Sequence, residues 1–273
     1  MHTFVMPQII NDGRIDYLLK IIEFIKKTPR KEIIFDFVNN QKIEIAGLAI
    51  LDCLSDLLHE HHIASKIMGM NKKNGQHQFM AKILSTSNKH SALLPVREMS
   101  FKKSDCILWG FEQGLSPLLM DEMDDHFKNK ISEKNRWYIR FILNELMQNA
   151  VDHSTAERYF MYVGIIQNKI SLGVLDMGVT IPAKLEQKYN FEDDRQALKE
   201  ALKLGVSTRR VRTGGLGLNH LFEILKGHQG QLTIISRGAG LRRYFKERKT
   251  MAKKLLPPLN GTWCFAKIPM GEK

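Results

Sequence analysis

Ile142-Leu-Asn-Glu-Leu-Met-Gln-Asn-Ala-Val-Asp-His-Ser154 is the stretch on which the reading of the whole chain turns. Ile142, Leu143, Leu146, Met147, Ala150 and Val151 recur at helical spacing and predict an amphipathic helix with one side in a core. Asn149, Asp152 and His153 follow Glu145 by four, seven and eight residues, which gathers these four polar side chains on another face. A carboxylate one turn before a carboxamide is an arrangement that a magnesium-nucleotide site can use. The Asn149 carbonyl oxygen is a hard ligand suited to Mg²⁺ while phosphates supply others, and Glu145 is placed to orient or deprotonate an attacking group. A solvated polar face has the same pattern, so the decision passes to the rest of the chain.

The chain has 273 residues, enough for two ordinary domains, and its 43% hydrophobic and 26% charged content is that of a soluble globular protein. No apolar run reaches membrane-spanning length and the N-terminus lacks a basic-then-apolar leader, so a cytoplasmic protein without a membrane partner is expected. Cys53, Cys106 and Cys264 are scattered and show no paired spacing, which indicates neither a disulfide framework nor a zinc site. His59-Glu60-His61-His62 does not match a two-turn zinc pattern and falls where a helix should end. The formal charge of +12 is concentrated late, in Arg237, Arg242, Arg243, Lys246, Arg248, Lys249, Lys253 and Lys254. That run suits phosphate backbone or an acidic protein, and equally a solvated hairpin edge whose charges discourage strand pairing.

From the N-terminus, Ile15 to Lys27 predicts a helix, Ile33 to Val38 a buried strand, Ile45 to His61 an amphipathic helix, Ala64 to Met70 a second strand and Gln78 to Leu84 a short helix. Strand and helix alternating through short loops predict a small α/β layer domain over residues 1–92. Ile34-Phe35-Asp36-Phe37 followed by Ile43-Glu44-Ile45-Ala46-Gly47-Leu48 resembles the STAS domains of anti-sigma-factor antagonists. Ile45 and Ala46 stand where that family has its phosphorylatable serine, so the resemblance implies docking or scaffolding in place of a phosphorylation switch. Ser91 to Ser104 reads as a connector, and residues 106–130 read as a mixed apolar helix with an acidic, solvated patch at Asp121, Glu122, Asp124 and Asp125.

Beyond the long helix, Tyr159 to Ile166 and Lys169 to Leu175 predict two strands joined at Gln167-Asn168, a hairpin signal. They lead to Asp176-Met177-Gly178-Val179-Thr180, where a carboxylate can accept from an exocyclic amine and a glycine lets a flat base lie against the backbone; an ordinary Asp-Gly turn explains the same residues. Thr213-Gly214-Gly215-Leu216-Gly217-Leu218 then opens a helical run over Asn219 to Lys226, and glycines at a helix start turn backbone N–H groups toward an anion. Gly261-Thr262-Trp263-Cys264-Phe265-Ala266 predicts a closing strand whose first turn returns a hydroxyl to the same place.

These four motifs, in this order and spacing over residues 100–273, resemble the four boxes of the GHKL ATPases: gyrase-type topoisomerases, the Hsp-ninety chaperones, histidine kinases and MutL. The resemblance implies a Bergerat-fold α/β sandwich that binds ATP and ADP, with a lid near residues 179–213. It further implies that Asn149 holds Mg²⁺, Asp176 reads the adenine amine, Gly178 admits the base, Gly214, Gly215, Gly217 and Leu218 wrap the phosphates, Thr262 lines the pocket and Glu145 is the general base. Arg209 and Arg210 stand where a closing lid brings them to the γ-phosphate. Val179 and Thr180 replace a second family glycine, which stiffens the start of that lid.

Asn149-Ala-Val-Asp-His153 is closest to the histidine-kinase-like, anti-sigma serine-kinase branch. The function expected is therefore an ATP-binding signalling regulator, an ATPase or a serine/threonine kinase, with a protein partner and a homodimer within its repertoire. A nucleotide-gated binding switch without turnover is the alternative. A nucleic-acid remodeller resembling MutL is disfavoured, because no transducer domain follows the motifs.

Overall fold

The computed structural model describes residues 2–28, 32–71, 77, 78, 80, 97–101, 104–111, 117–203 and 217–270. It is a mixed α/β structure, with seven helices among the described residues. The N-terminal part builds a parallel three-stranded sheet from β1 (His2–Val5), β3 (Ile33–Asp36) and β5 (Ser65–Met68), in the order β1-β3-β5, beside a two-residue pairing of β2 (Ile9–Ile10) with β4 (Lys42–Ile43). Helices α1 (Ile15–Lys27) and α2 (Ile45–Glu60) make the crossovers that parallel pairing requires.

The rest forms an antiparallel six-stranded sheet in the order β10-β11-β9-β8-β7-β6. Its strands are β6 (Arg97–Phe101), β7 (Ser104–Phe111), β8 (Tyr159–Ile166), β9 (Lys169–Asp176), β10 (Gln231–Tyr244) and β11 (Lys249–Pro269). Gln167 and Asn168 connect β8 to β9 with positive φ at both positions, the two-residue hairpin that their residue types predict. Residues 106–111 belong to β7 and not to a helix, and helix begins only at α3 (Pro117–Phe127). A short run such as Cys-Ile-Leu-Trp-Gly-Phe carries no period that separates a buried strand from a buried helix.

Alternation along the strands sorts this sheet into two faces. Ile170, Leu172 and Val174 of β9 point to the front, into one core with Ile142, Leu143, Leu146 and Met147 of the long helix α4 (Glu133–His153) and with Leu221 and Leu225 of α7 (Gly217–Gly227). Phe160, Tyr162, Leu175, Trp263 and Phe265 point to the back, where they join Leu18, Ile50, Leu54 and Phe35. Helix α2 is apolar nearly all round and buried from Ile45 to Ser55, as a helix lying between two sheets must be. The N-terminal part is thus packed on the back of the larger sheet, and one apolar core is common to both.

A charged joint accompanies that core. Asp12, 3% exposed, accepts from Lys267 and Arg242 at 3.0 Å each and from the Thr233 hydroxyl at 2.9 Å, while Lys267 also reaches Glu44 at 3.2 Å. Arg158 pairs with Asp56 of α2 at 2.6 Å. The acidic patch on α3 is likewise engaged, since Arg140 of α4 binds Asp121 at 2.7 Å and Asp124 at 2.9 Å.

β10 does not run straight. Fourteen extended residues would span roughly 46 Å, yet the Phe245 amide donates to the Gly230 carbonyl at 3.0 Å and Arg242 reaches the Thr233 hydroxyl at 3.1 Å. The strand therefore reverses at Arg237-Gly238, where Arg237 has positive φ and the pairing with β11 shifts register.

Candidate functional site

Register builds the site. Tyr159, Asp176, Thr262 and Ser236 are cross-strand partners in one row over β8, β9, β11 and β10. The row beneath, Met161, Val174, Cys264 and Ile234, is apolar and packed in the front core. Where that core stops, the same face turns polar, directly at the C-terminal end of α4.

Asp176 is 2% exposed. The Gly178 amide donates to it at 3.0 Å, and it is further held by the Thr262 amide and the Ser154 hydroxyl. All three donors are uncharged. Burial pushes the Asp176 carboxyl up to about 7, and the hydrogen bonds from Gly178, Thr262 and Ser154 offset only part of that rise. A carboxylate has about four lone-pair positions, so three donors leave acceptor capacity for one more.

The turn after Asp176 is seated on the helix end. A Cβ on Gly178 would overlap the Ser154 carbonyl, which also accepts from the Val179 amide. The glycine is thus required by the close approach of Ser154, a use that the sequence alone did not reveal. Gly261, at φ 137°, lies against the Asp176 carbonyl in the same way. The Thr262 hydroxyl is 2.9 Å from that of Ser236, which donates to the Gly261 carbonyl at 3.1 Å and accepts from the Ile181 amide at 2.9 Å. Thr262 is therefore tied to β10 and to the start of α5 (Ile181–Leu185).

On α4, successive residues turn by about 100°, which places Tyr138, Phe141, Glu145 and Asn149 along one stripe. Tyr138 meets the His228 ring at 4.6 Å and Phe141 meets His220 at 5.9 Å, so α4 and α7 run antiparallel with this stripe toward α7. Continued toward the C-terminus, the stripe carries Glu145 and Asn149 to the end of α7 that begins at Gly217. Both are half-buried, and among the described residues the Asn149 Nδ2 on this stripe is a buried donor that no acceptor meets. Among the described residues no three His, Cys, Asp or Glu side chains converge as ligands for a metal. A Mg²⁺ held by Asn149 and by phosphates does not require such a cluster.

Of the expected site residues, Asp176, Gly178 and Thr262 come together at the sheet end. Glu145 and Asn149 lie on the adjoining helix stripe, and Gly217 and Leu218 open α7. Gly214, Gly215, Arg209 and Arg210 lie outside the described residues. Ser154, Tyr159 and Ser236 were missed, although the parity of Ser236 opposite Thr262 marks it as front-facing. Within the expected lid, α5 and α6 (Asp194–Ala201) are packed on β10. Arg237 binds Glu186 at 2.7 Å and Asp194 at 2.9 Å, and Asp194 also accepts from the Gly238 amide at 2.8 Å. Arg237, Arg242 and Lys253, the last paired with Asp16, are thus internal ties and not a free basic edge. Among the described residues no helix is long and apolar enough to cross a membrane.

Comparison with known proteins adds no family: no protein-family model matches the chain, and no curated protein matches it.

Proposed function

We propose that this chain binds an adenine nucleotide with Mg²⁺ at the C-terminal end of α4, as a signalling regulator of the GHKL, histidine-kinase-like type. The observation that carries the reading is the row Tyr159–Asp176–Thr262–Ser236, with its buried and unneutralised carboxyl, set where the Glu145/Asn149 stripe meets the start of α7. Asp176, Gly178 and Thr262, which belong to two of the four motifs, meet at one end of the sheet, and this supports the reading.

In this reading Asp176 accepts from the exocyclic amine of adenine, and the α7 N-terminus attracts the phosphates. Asn149 contributes a carbonyl oxygen to Mg²⁺ and Glu145 holds the attacking water or hydroxyl. Bound Mg-ATP would supply the γ-phosphoryl group for hydrolysis or for transfer to serine or threonine of a protein partner. The STAS-like N-terminal layer is a fixed backing for the site and a candidate docking surface for that partner.

Isothermal titration of the full chain with ATP and ADP, with and without Mg²⁺, tests binding. The expected result is a dissociation constant below about 100 μM, weakened at least about tenfold in Asp176→Ala, with the Mg²⁺ dependence abolished in Asn149→Ala. Absence of binding to either nucleotide at about 1 mM sinks the proposal. Phosphate release by Glu145→Ala beside the wild type then separates an enzyme from a switch: equal, near-zero rates with binding retained assign the switch.

A further inference from the structure

A hollow lies away from that site, between α6, α7 and the returning arm of β10. Its volume is about 450 Å³ and its lining joins apolar Leu202, Phe222 and Leu241 to cationic Lys199, Lys203 and Arg243. Phe222 stands two residues from His220 on α7, about 200° round the helix, so the hollow is on the far flank of α7 from α4. It is therefore distinct from the Asp176 row.

The charges around it do not cancel. Lys203 is paired with Glu200 at 2.7 Å, and Glu223, the one acidic residue of the lining among the described residues, is held by Lys226 at 3.2 Å. Lys199 and Arg243 remain. Arg243 lies over two aromatic rings, 6.0 Å from the centre of Phe222 and 5.7 Å from that of Phe245, and donates to the Thr250 hydroxyl. Its Nε is buried and has no hydrogen-bond partner among the described residues. A guanidinium cannot shed its proton, so a buried N–H left without an acceptor is destabilising until one arrives. The two rings, which meet edge to face, and the Thr250 hydroxyl hold that guanidinium in place before any ligand binds.

From these observations we infer that the hollow is a binding site for a small amphipathic anion: an aryl or alkyl group seated on Leu202, Phe222 and Leu241, with a phosphate, sulfonate or carboxylate on Arg243 and Lys199. The volume is that of ordinary small-ligand sites. Arg243 supplies direction as well as charge, since its guanidinium N–H groups donate best to a ligand oxygen placed beside the two rings.

1-Naphthyl phosphate is a suitable probe, with neutral 1-naphthol and inorganic phosphate as controls, titrated calorimetrically into the full chain. The phosphate ester should bind below about 1 mM and each control at least about tenfold more weakly. Leu202→Trp, which fills the hollow, should abolish binding. Lys199→Gln, an exposed change that leaves the fold intact, should weaken binding about threefold, and saturating ADP should not displace the probe. Equal binding of 1-naphthol, unaltered binding to Leu202→Trp, displacement by ADP, or no binding up to about 5 mM would each overturn the inference. Because the probe and ADP are read separately, failure here leaves the nucleotide proposal standing, and the reverse also holds.

Discussion

Two aspartates on opposite faces of the six-stranded sheet are almost equally buried, Asp12 at 3% and Asp176 at 2% exposure, and the chain treats them in opposite ways. Burial alone would raise both carboxyls. At Asp12 the attraction of Lys267 and Arg242, with hydrogen bonds from Lys267 and Thr233, outweighs that effect and holds the carboxyl below the ordinary carboxylate value. At Asp176 the donors among the described residues are uncharged, burial dominates and the carboxyl rises to about 7. The back face is thus a completed joint, in which each buried charge meets its opposite. Among the described residues the front face is left unfinished, with a carboxyl that no cation meets and an Asn149 amide that no acceptor meets. Completed networks hold structure together, and unfinished ones cost stability that a ligand can restore.

The largest effect should come from breaking the completed side. Asp12→Ala leaves Arg242 and the largely buried Lys267 facing an apolar layer, with Glu44 as the remaining carboxylate near Lys267. Removing one member of a buried pair costs about 3–5 kcal/mol, and urea unfolding at pH 7 should show a loss in that range. A loss under about 1 kcal/mol would mean that the two parts of the molecule are held by apolar packing alone. The wild-type contribution has a definite sign: with the folded carboxyl below its ordinary 3.8, the stabilisation is present above that pH and is lost as pH falls through the lowered folded value.

The unfinished side should respond in the reverse direction. Because the Asp176 carboxyl rises from 3.8 to about 7, the folded state holds its proton where the unfolded chain has lost it. Stability therefore declines as pH climbs between those two values, by a total on the order of 4 kcal/mol at most. Asp176→Asn, which carries no charge, should flatten that decline and unfold later than the wild type at pH 8, with little difference at pH 4. If adenine binds by donating to the ionised carboxyl, nucleotide affinity of the wild type falls about tenfold per pH unit below 7, and Asp176→Asn loses both the affinity and its pH dependence. A pH-independent wild type would break the contrast between the two aspartates.

The front of the molecule was largely legible in the sequence because its signals are local. The period of Ile142 to Val151, the alternation through β8 and β9, and the Gln167-Asn168 turn each depend on neighbours a few residues away. The back was not legible. Asp12 and Lys267 are far apart along the chain, and nothing in Asn11-Asp12-Gly13 distinguishes a buried ion pair from a surface turn. The reversal at Arg237-Gly238 was hidden for the same reason. Arg237 reads as one charge in a basic run until Glu186 and Asp194 are brought to it by α5 and α6. Gly178 reads in the sequence as a place for a flat base to approach, whereas the close neighbour that excludes a side chain there is the Ser154 carbonyl, more than twenty residues earlier.

Arg237 gives the smallest effect and the sharpest test of how the two faces differ in rigidity. Its guanidinium fastens α5 and α6 over the edge of the front site, yet it is a third exposed, and solvent screening limits such a tie to about 1 kcal/mol. Arg237→Asn removes the guanidinium while keeping a residue that tolerates the positive φ of this turn. Amide hydrogen exchange should then quicken several-fold over residues 181–203, without change in β8 and β9, because a local fastening releases only the unit it holds. Uniform acceleration through the sheet would instead assign Arg237 to the global core. Unaltered exchange would show that α5 and α6 stay in place through Leu185, Ala197 and Leu198 alone, which would leave the front site with a roof as permanent as the joint behind it.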